Sequence, residues 1–329
     1  MHPFTPRLIV EPDDGLAPVR EFIENAQSSL LIKQFNFNEE SLIQAVIGRF
    51  NSGVDVRVML NPKRSSGDRA NDETYERFAA AGIDVKWSSP RFYVTHEKSI
   101  VVDEKAAMVA TYNLSLKYFS RTRDYGIITH DPQHVAQIIE VFDIDWEERD
   151  ATPAAYEGLL WSNSNSRLHM ANFIDRAQHR LDVQHPKYVD AVILDRIVAA
   201  AERGVKVHVL CGGRHGISDW DVLDTFASLR TLGRFGIKVH KQKNLRVHAK
   251  LIIVDGECAL LGSMNIDRSA FDLRRELGIT ITDPSVLARL RETFDSDWDL
   301  SRHYDPPDPL DPSQHVEMDF PHDPDLVHE

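Results

Sequence analysis

Five polar residues recur in this chain at one constant offset. His96, Lys98, Asp103, Asn113 and Asp124 are followed 152 positions later by His248, Lys250, Asp255, Asn265 and Glu276. Apolar segments echo alongside them: "GVDVRVML" at Gly53 and "GVKVHVLC" at Gly204, "GIDVKW" at Gly82 and "GIKVHK" at Gly236, "FDIDWE" at Phe142 and "FDSDWD" at Phe294. A repeat of this length is too long for a solenoid unit, so each copy is expected to fold as a domain with its own core. A chain of 329 residues has room for two such domains.

Within each copy, strand and helix patterns alternate. In the first, "SSLLIKQFNF" reads as a strand. Leu42, Ile43, Val46, Ile47 and Phe50 have helical spacing, and Gly53 ends that run. "VDVRVML", "NDETYERFAAAG" and "IDVKW" continue as strand, helix and strand; "RLDVQHP", "YVDAVILDRIVAAAERG", "VKVHVLC", "DVLDTFASLRTLGRFG" and "IKVHK" repeat the order. This rhythm predicts the α/β class, with mixed sheets flanked by helices. Pro153 and its neighbouring alanines mark the boundary, which places one domain at 1–152 and the second at 153–300. Residues 301–329 read as an acidic, proline-rich tail without regular structure.

Composition narrows the function classes. With 42% hydrophobic and 27% charged residues the chain reads as a globular enzyme. No run of apolar residues is long enough to span a bilayer, and the start lacks a signal-peptide pattern. A cytoplasmic or peripheral-membrane location is expected, with export open if a leader has been removed. The net charge of −13 includes eight acids and one base after residue 301, and the acidic remainder argues against bulk polyanion binding. Cys211 and Cys258 build no disulfide framework and are expected as buried filler. The histidines are scattered, so no metal site or cofactor is expected.

The recurring set has a chemical logic. His and Lys two apart on a strand project from one face, while the following apolar residues anchor that strand in the core. Asp103 and Asp255 lie an odd number of residues from their lysines, at the turns "DEK" and "DGE", and are expected to brace structure. The strand that returns from each turn brings Asn113 or Asn265 back toward its histidine. One accidental H-x-K-x4-D pattern is roughly a few-per-cent event per chain, and two in register are not accidental. A transferring phosphoryl group concentrates charge on its equatorial oxygens. Lys98, Lys250, Asn113 and Asn265 could meet that charge with two cations and two amides. Asp124 and Glu276 are suited to hold the second ring nitrogen of a histidine and fix its tautomer.

The two H-x-K-x4-D segments with their trailing asparagines resemble the phospholipase D superfamily, over residues from about 7 to 300. The resemblance implies two duplicated α/β domains related by a pseudo-twofold axis, with both motifs meeting in one metal-independent active site. It implies that one histidine attacks phosphorus and the other acts as acid and base; His96 is assigned as nucleophile and His248 as acid/base. The copies are not equal: the second reads "GSMN" with Gly262 and Ser263, the first "ATYN" with Ala110 and Thr111, and Asp124 is shorter than Glu276. Thr111 and Ser263 are taken as substrate contacts. Arg214 and Trp220, in "CGGRHGISDW" after a strand, are taken as a substrate loop. The basic run from Arg234 to Arg246 reads either as a solvated face or as an anion-steering rim.

The favoured substrate is a glycerophospholipid met at a membrane surface, with water or an alcohol as acceptor, handled by a monomer. The alternatives are a nuclease acting on DNA or RNA, and a non-catalytic phosphate- or lipid-binding module.

Overall fold

A computed structural model describes residues 5–64, 66–153, 158–214, 217, 219–311 and 313. The first half runs β1 (Arg7–Glu11), α1 (Ala17–Glu24), β2 (Ser29–Gln34), α2 (Glu40–Asn51), β3 (Asp55–Leu60), α3 (Asp72–Ala81), β4 (Asp84–Trp87), β5 (Ser99–Val102), β6 (Ala106–Ala110), β7 (Thr122–Thr129) and α4 (Pro132–Trp146). The second half starts with β8 (Leu159–Trp161), α5 (Ser166–Asp175), β9 (Arg180–Gln184), α6 (Ala191–Glu202), β10 (Lys206–Cys211), α7 (Asp219–Arg234), β11 (Lys238–Lys241) and β12 (Arg246–Val247). It finishes with β13 (Leu251–Val254), β14 (Cys258–Gly262), α8 (Arg268–Asp272), β15 (Leu277–Ile281), α9 (Pro284–Leu300) and β16 (Arg302–His303).

Each half builds one mixed sheet. The orders are β1-β7-β6-β5-β2-β3-β4 and, read in the same sense, β8-β15-β14-β13-β9-β10-β11. The strands correspond one for one, so the duplication is topological as well as sequential. Parallel pairing joins β2, β3 and β4, whose connections cross over through helices, while hairpins give the antiparallel side. The helices α2 and α6 end before Gly53 and Gly204, whose φ values of +90° and +89° only glycine adopts without strain.

The two sheets share one core. Leu8, Val10, Leu31, Val101, Val109 and Ile127 of the first meet Leu251, Ile253, Leu261, Leu277 and Ile279 of the second, with α4 and α9 packed among them. Both of these helices start with an Asp-Pro pair. Asp131 accepts from the Gln133 N–H at 2.8 Å and Asp283 from the Ser285 N–H at 2.9 Å, and the proline that follows sits where no donor is needed. The outer faces carry α1–α3 on one side and α5–α7 on the other, each over a separate apolar cluster.

Two expectations need correction here. The acidic tail begins as ordered structure: β16 pairs antiparallel with β11, and buried Tyr304 donates its N–H to the Val239 carbonyl. An edge strand with free backbone groups is a ready template, which a polar composition does not reveal. The rest of the tail, residue 312 and residues 314–329, lies outside the described residues, as do 154–157 of the linker. Cys211 is buried, but Cys258 is only partly so, and both are free thiols.

Candidate active site

Each motif histidine is anchored by its backbone to the opposite half. The N–H groups of His96 and Glu97 both donate to the Arg275 carbonyl oxygen at 2.9 Å, beside an isolated Thr95–Arg275 bridge. In the mirror arrangement β12 lies parallel to β7, and the N–H groups of His248 and Ala249 donate to the Arg123 carbonyl at 3.2 and 2.9 Å. The 152-residue offset exchanges Thr95 with Val247 and Arg275 with Arg123. The contact is therefore isologous, the signature of a twofold relation between the halves.

The side chains cross over too. His96 Nδ1 lies 2.9 Å from Glu276 Oε2 and 3.1 Å from the Ser263 carbonyl oxygen. Because a carbonyl can only accept, this nitrogen carries hydrogen. His248 Nδ1 lies 2.7 Å from Asp124 Oδ1. Each acid thus orients the histidine of the other copy. The eight residues His96, Lys98, Asn113, Asp124, His248, Lys250, Asn265 and Glu276 are all between 0 and 4% exposed. Burial pushes the Glu276 carboxyl up to about 8, against the pull of the Lys98 and Arg274 charges.

The lysines differ between copies. Lys98 Nζ donates to the His96 carbonyl at 2.7 Å and stands 5.1 Å from the Phe35 ring centre. Lys250 Nζ instead lies 2.8 Å from His248 Nε2, so that nitrogen accepts and Nδ1–H faces Asp124. His96 packs edge-on against Phe35, and His248 lies tilted against the Tyr118 ring. The buried amide oxygen of Asn265 has no hydrogen-bond partner among the described residues.

Several sequence assignments move. The Thr111 hydroxyl donates to Asp124 Oδ1 at 2.5 Å and accepts the Tyr125 N–H at 2.9 Å. The Ser263 hydroxyl donates to the Leu277 carbonyl at 3.3 Å and accepts the Leu277 N–H at 3.0 Å. Both hydroxyls tie together the segments that carry the acids. Asp103 and Asp255 sit at positive φ and accept backbone N–H groups from Gln27, Ser28 and Ser29, and from Gln178, His179 and Arg180. Arg214 is exposed in the loop after β10; Trp220 starts α7, and its side chain lies outside the described residues. The basic run forms no continuous rim, since Lys241 is buried above the Tyr304 ring.

One pair of site-supporting contacts escaped the sequence reading. Arg123, beside Asp124, reaches Asp297 of α9 at 2.8 Å, and Arg275, beside Glu276, reaches Asp145 of α4 at 2.7 Å. Asp145 and Asp297 are the second acids of the echoed "FDIDW" and "FDSDW" segments, so the signal was present in the repeat. Lys33, fully buried, adds contacts to Asp145 at 2.8 Å and Glu97 at 3.0 Å. In the second copy Gln184 takes that place, donating to Asp297 and Gln242.

The cardiolipin synthase PLD-like domain of the phospholipase D superfamily matches this chain twice, over residues 19–146 and 170–298. The chain belongs to that family. It is 24% identical to YwiE, a probable cardiolipin synthase of Bacillus subtilis (strain 168), across 91% of this chain and 67% of that relative. It spans between 47 and 67% of the length of the curated cardiolipin synthases it matches. Among solved structures, phosphatidylserine synthase of Haemophilus influenzae Rd KW20 superposes with a TM-score of 0.72 at 13% identity, covering 91% of this chain and 87% of its own. Polyphosphate kinase of Porphyromonas gingivalis does so with a TM-score of 0.70 at 18% identity, covering 89% and 50%. At these identities the two structures share the PLD-like fold and nothing finer. Both copies of the domain in this chain keep the histidine, lysine and asparagine of the motif.

Proposed function

We propose that this PLD-like protein is a phosphatidyltransferase or phospholipase D that works on glycerophospholipids through a phosphohistidine, without a metal. The observation that carries the reading is the crossed pairing of two buried histidine–carboxylate dyads, each with its own lysine, at one interface. The names of the relatives, cardiolipin synthase and phosphatidylserine synthase, support a lipid phosphodiester as substrate.

His96 Nε2 attacks phosphorus while its Nδ1–H is held by Glu276. The P–N bond forms and the P–O bond to the leaving alcohol breaks; His248, which takes up a proton from solvent at Nε2 once Lys250 has moved to the phosphate, gives that proton to the alcohol. In the second step His248 withdraws a proton from water or an acceptor alcohol, the new P–O bond forms and His96 is released. Lys98 and Lys250 balance the charge on the non-bridging oxygens. The contact between Lys250 and His248 Nε2 has to open for this, and an incoming phosphate supplies the competing anion. The lysine asymmetry supports His96 as nucleophile, because Lys98 rests on a backbone carbonyl and not on the ring. Diacyl substrates place the reaction at a bilayer surface.

The test is an incubation with mixed phospholipid vesicles, an added primary alcohol and EDTA, read by mass spectrometry, with single-stranded and plasmid DNA in parallel. Headgroup release or exchange that is lost in His96→Ala and in His248→Ala is the expected result. Intact lipid with degraded DNA overturns the lipid reading, and inactivity on both without a trapped phosphohistidine overturns the enzymatic one.

A further inference from the structure

Glu11, the last residue of β1, lies directly across the β1–β7 pairing from Asp124. It is fully buried, and neither carboxyl oxygen has a hydrogen-bond partner among the described residues. The groups facing it are Asp124 from β7, Tyr112 beyond β6, and Asp13, Asp14 and Gly15 from the turn after β1; the Gly15 amide approaches without reaching hydrogen-bond geometry. The neighbouring cation is committed elsewhere. The Arg123 guanidinium donates to both oxygens of Asp297, to Asp13 and to the Glu11 backbone carbonyl. Arg289 in turn holds Asp14.

Two carboxyls opposite one another on adjacent strands have Cβ atoms about 5 Å apart. Buried together without a cation between them, they cannot both ionise. Asp124 has three donors, from Thr111, Thr122 and His248 at 2.5, 2.6 and 2.7 Å, and is the anion. Glu11 has none and keeps the proton. The second copy is built differently: Ser162 stands opposite Glu276, accepting its N–H at 2.7 Å and donating to the Arg274 carbonyl.

We infer that Glu11 is a proton-bearing positioning residue that sets the charge of the Asp124–His248 dyad and makes it differ from the Glu276–His96 dyad. While Glu11 is neutral the first dyad carries one negative charge. When Glu11 ionises it carries two, which repels the phosphoryl oxygens, so turnover falls. Burial, with the Asp124 charge second, pushes Glu11 up to about 9, which sets the range in which the change appears. The kinetic part of this inference rests on the phosphodiesterase reading; the protonation part does not.

Two measurements test it. In infrared difference spectra of wild type against Glu11→Gln at about pH 7, the carbonyl stretch of a protonated carboxyl should be present in wild type and lost in the variant. No such band means that Glu11 is ionised and overturns the inference, whatever the substrate proves to be. In kinetics, the ratio of kcat in Glu11→Gln to kcat in wild type should rise about tenfold between about pH 7 and about pH 10, because the variant cannot acquire the second charge. Any limb due to Glu276 is common to both proteins and cancels in that ratio. A ratio that stays flat overturns the inference. Glu11→Met, unbranched and of similar length, gives the same two readouts if the amide is not tolerated.

Discussion

His96 and His248 are each worth little alone, because an imidazole is a useful nucleophile or acid only when its second nitrogen is held. Glu276→Gln and Asp124→Asn keep the shape of each dyad but let the ring take the wrong tautomer. Steady-state kinetics should show kcat lowered on the order of a hundredfold or more in each, with the circular dichroism spectrum unchanged. The buried acids also govern how stability depends on pH. Folding raises Glu11 to about 9 and Glu276 to about 8, both from an ordinary value of 4.5. The native protein therefore holds protons that the unfolded chain has released, and unfolding gives them up. Stability contributed this way is greatest below about pH 4.5 and declines as pH rises through 8 and 9. Replacing Glu11 with Gln removes its share, so the variant's melting temperature should exceed the wild-type value by a margin that widens from acid to alkaline pH. A margin independent of pH would contradict the assignment.

At the level of strands and turns, the copies achieve the same geometry by different means. Gly262 faces Gly278 across β14 and β15, and a Cβ there would clash with the Leu277 carbonyl oxygen. The first copy has Ala110 opposite Gly126, and it is Gly126 whose added Cβ would come within 2.5 Å of the Tyr112 hydroxyl. Sequence comparison noticed the missing glycine in "ATYN", but the clearance is set by the facing strand, which the motif does not include. Gly262→Ala should cost about 1–3 kcal/mol in urea unfolding, since the obstacle is backbone and cannot step aside. Asp255 belongs to the same scale. It ties three backbone N–H groups at the start of β9 to the turn between β13 and β14. Asp255→Ala should lower stability by about 1–3 kcal/mol while turnover per folded molecule is retained.

Across the whole molecule, the two Arg–Asp links do for the halves what the acids do for the rings. On β7 and just before β15, neighbouring residues point to different targets in the other copy: an arginine to the helix α9 or α4, an acid to the histidine. The position of each dyad therefore depends on the seating of the halves against each other. Asp145 balances two buried cations, Lys33 and Arg275, whose charges outweigh the cost of burying its carboxylate and hold it below its ordinary range. Asp145→Asn leaves Lys33 with Glu97 and takes the carboxylate away from Arg275, and unfolding should show a loss of about 3–5 kcal/mol. Activity should fall as well, since Arg275 also supplies the carbonyl on which His96 hangs.

The duplication, the α/β class and the turns held by Asp103 and Asp255 were legible from one sequence, because a repeat offset and strand periodicity are local properties; the eight residues proposed for the site were picked out by the same offset. Partnership was not. That Glu276 serves His96 and Asp124 serves His248, that Thr111 and Ser263 hydrogen-bond the acid-bearing segments, and that Glu11 faces Asp124 all follow from which strand lies beside which. Spacing along a chain says what a residue can do, and only the packing of one sheet against another decides for whom it does it.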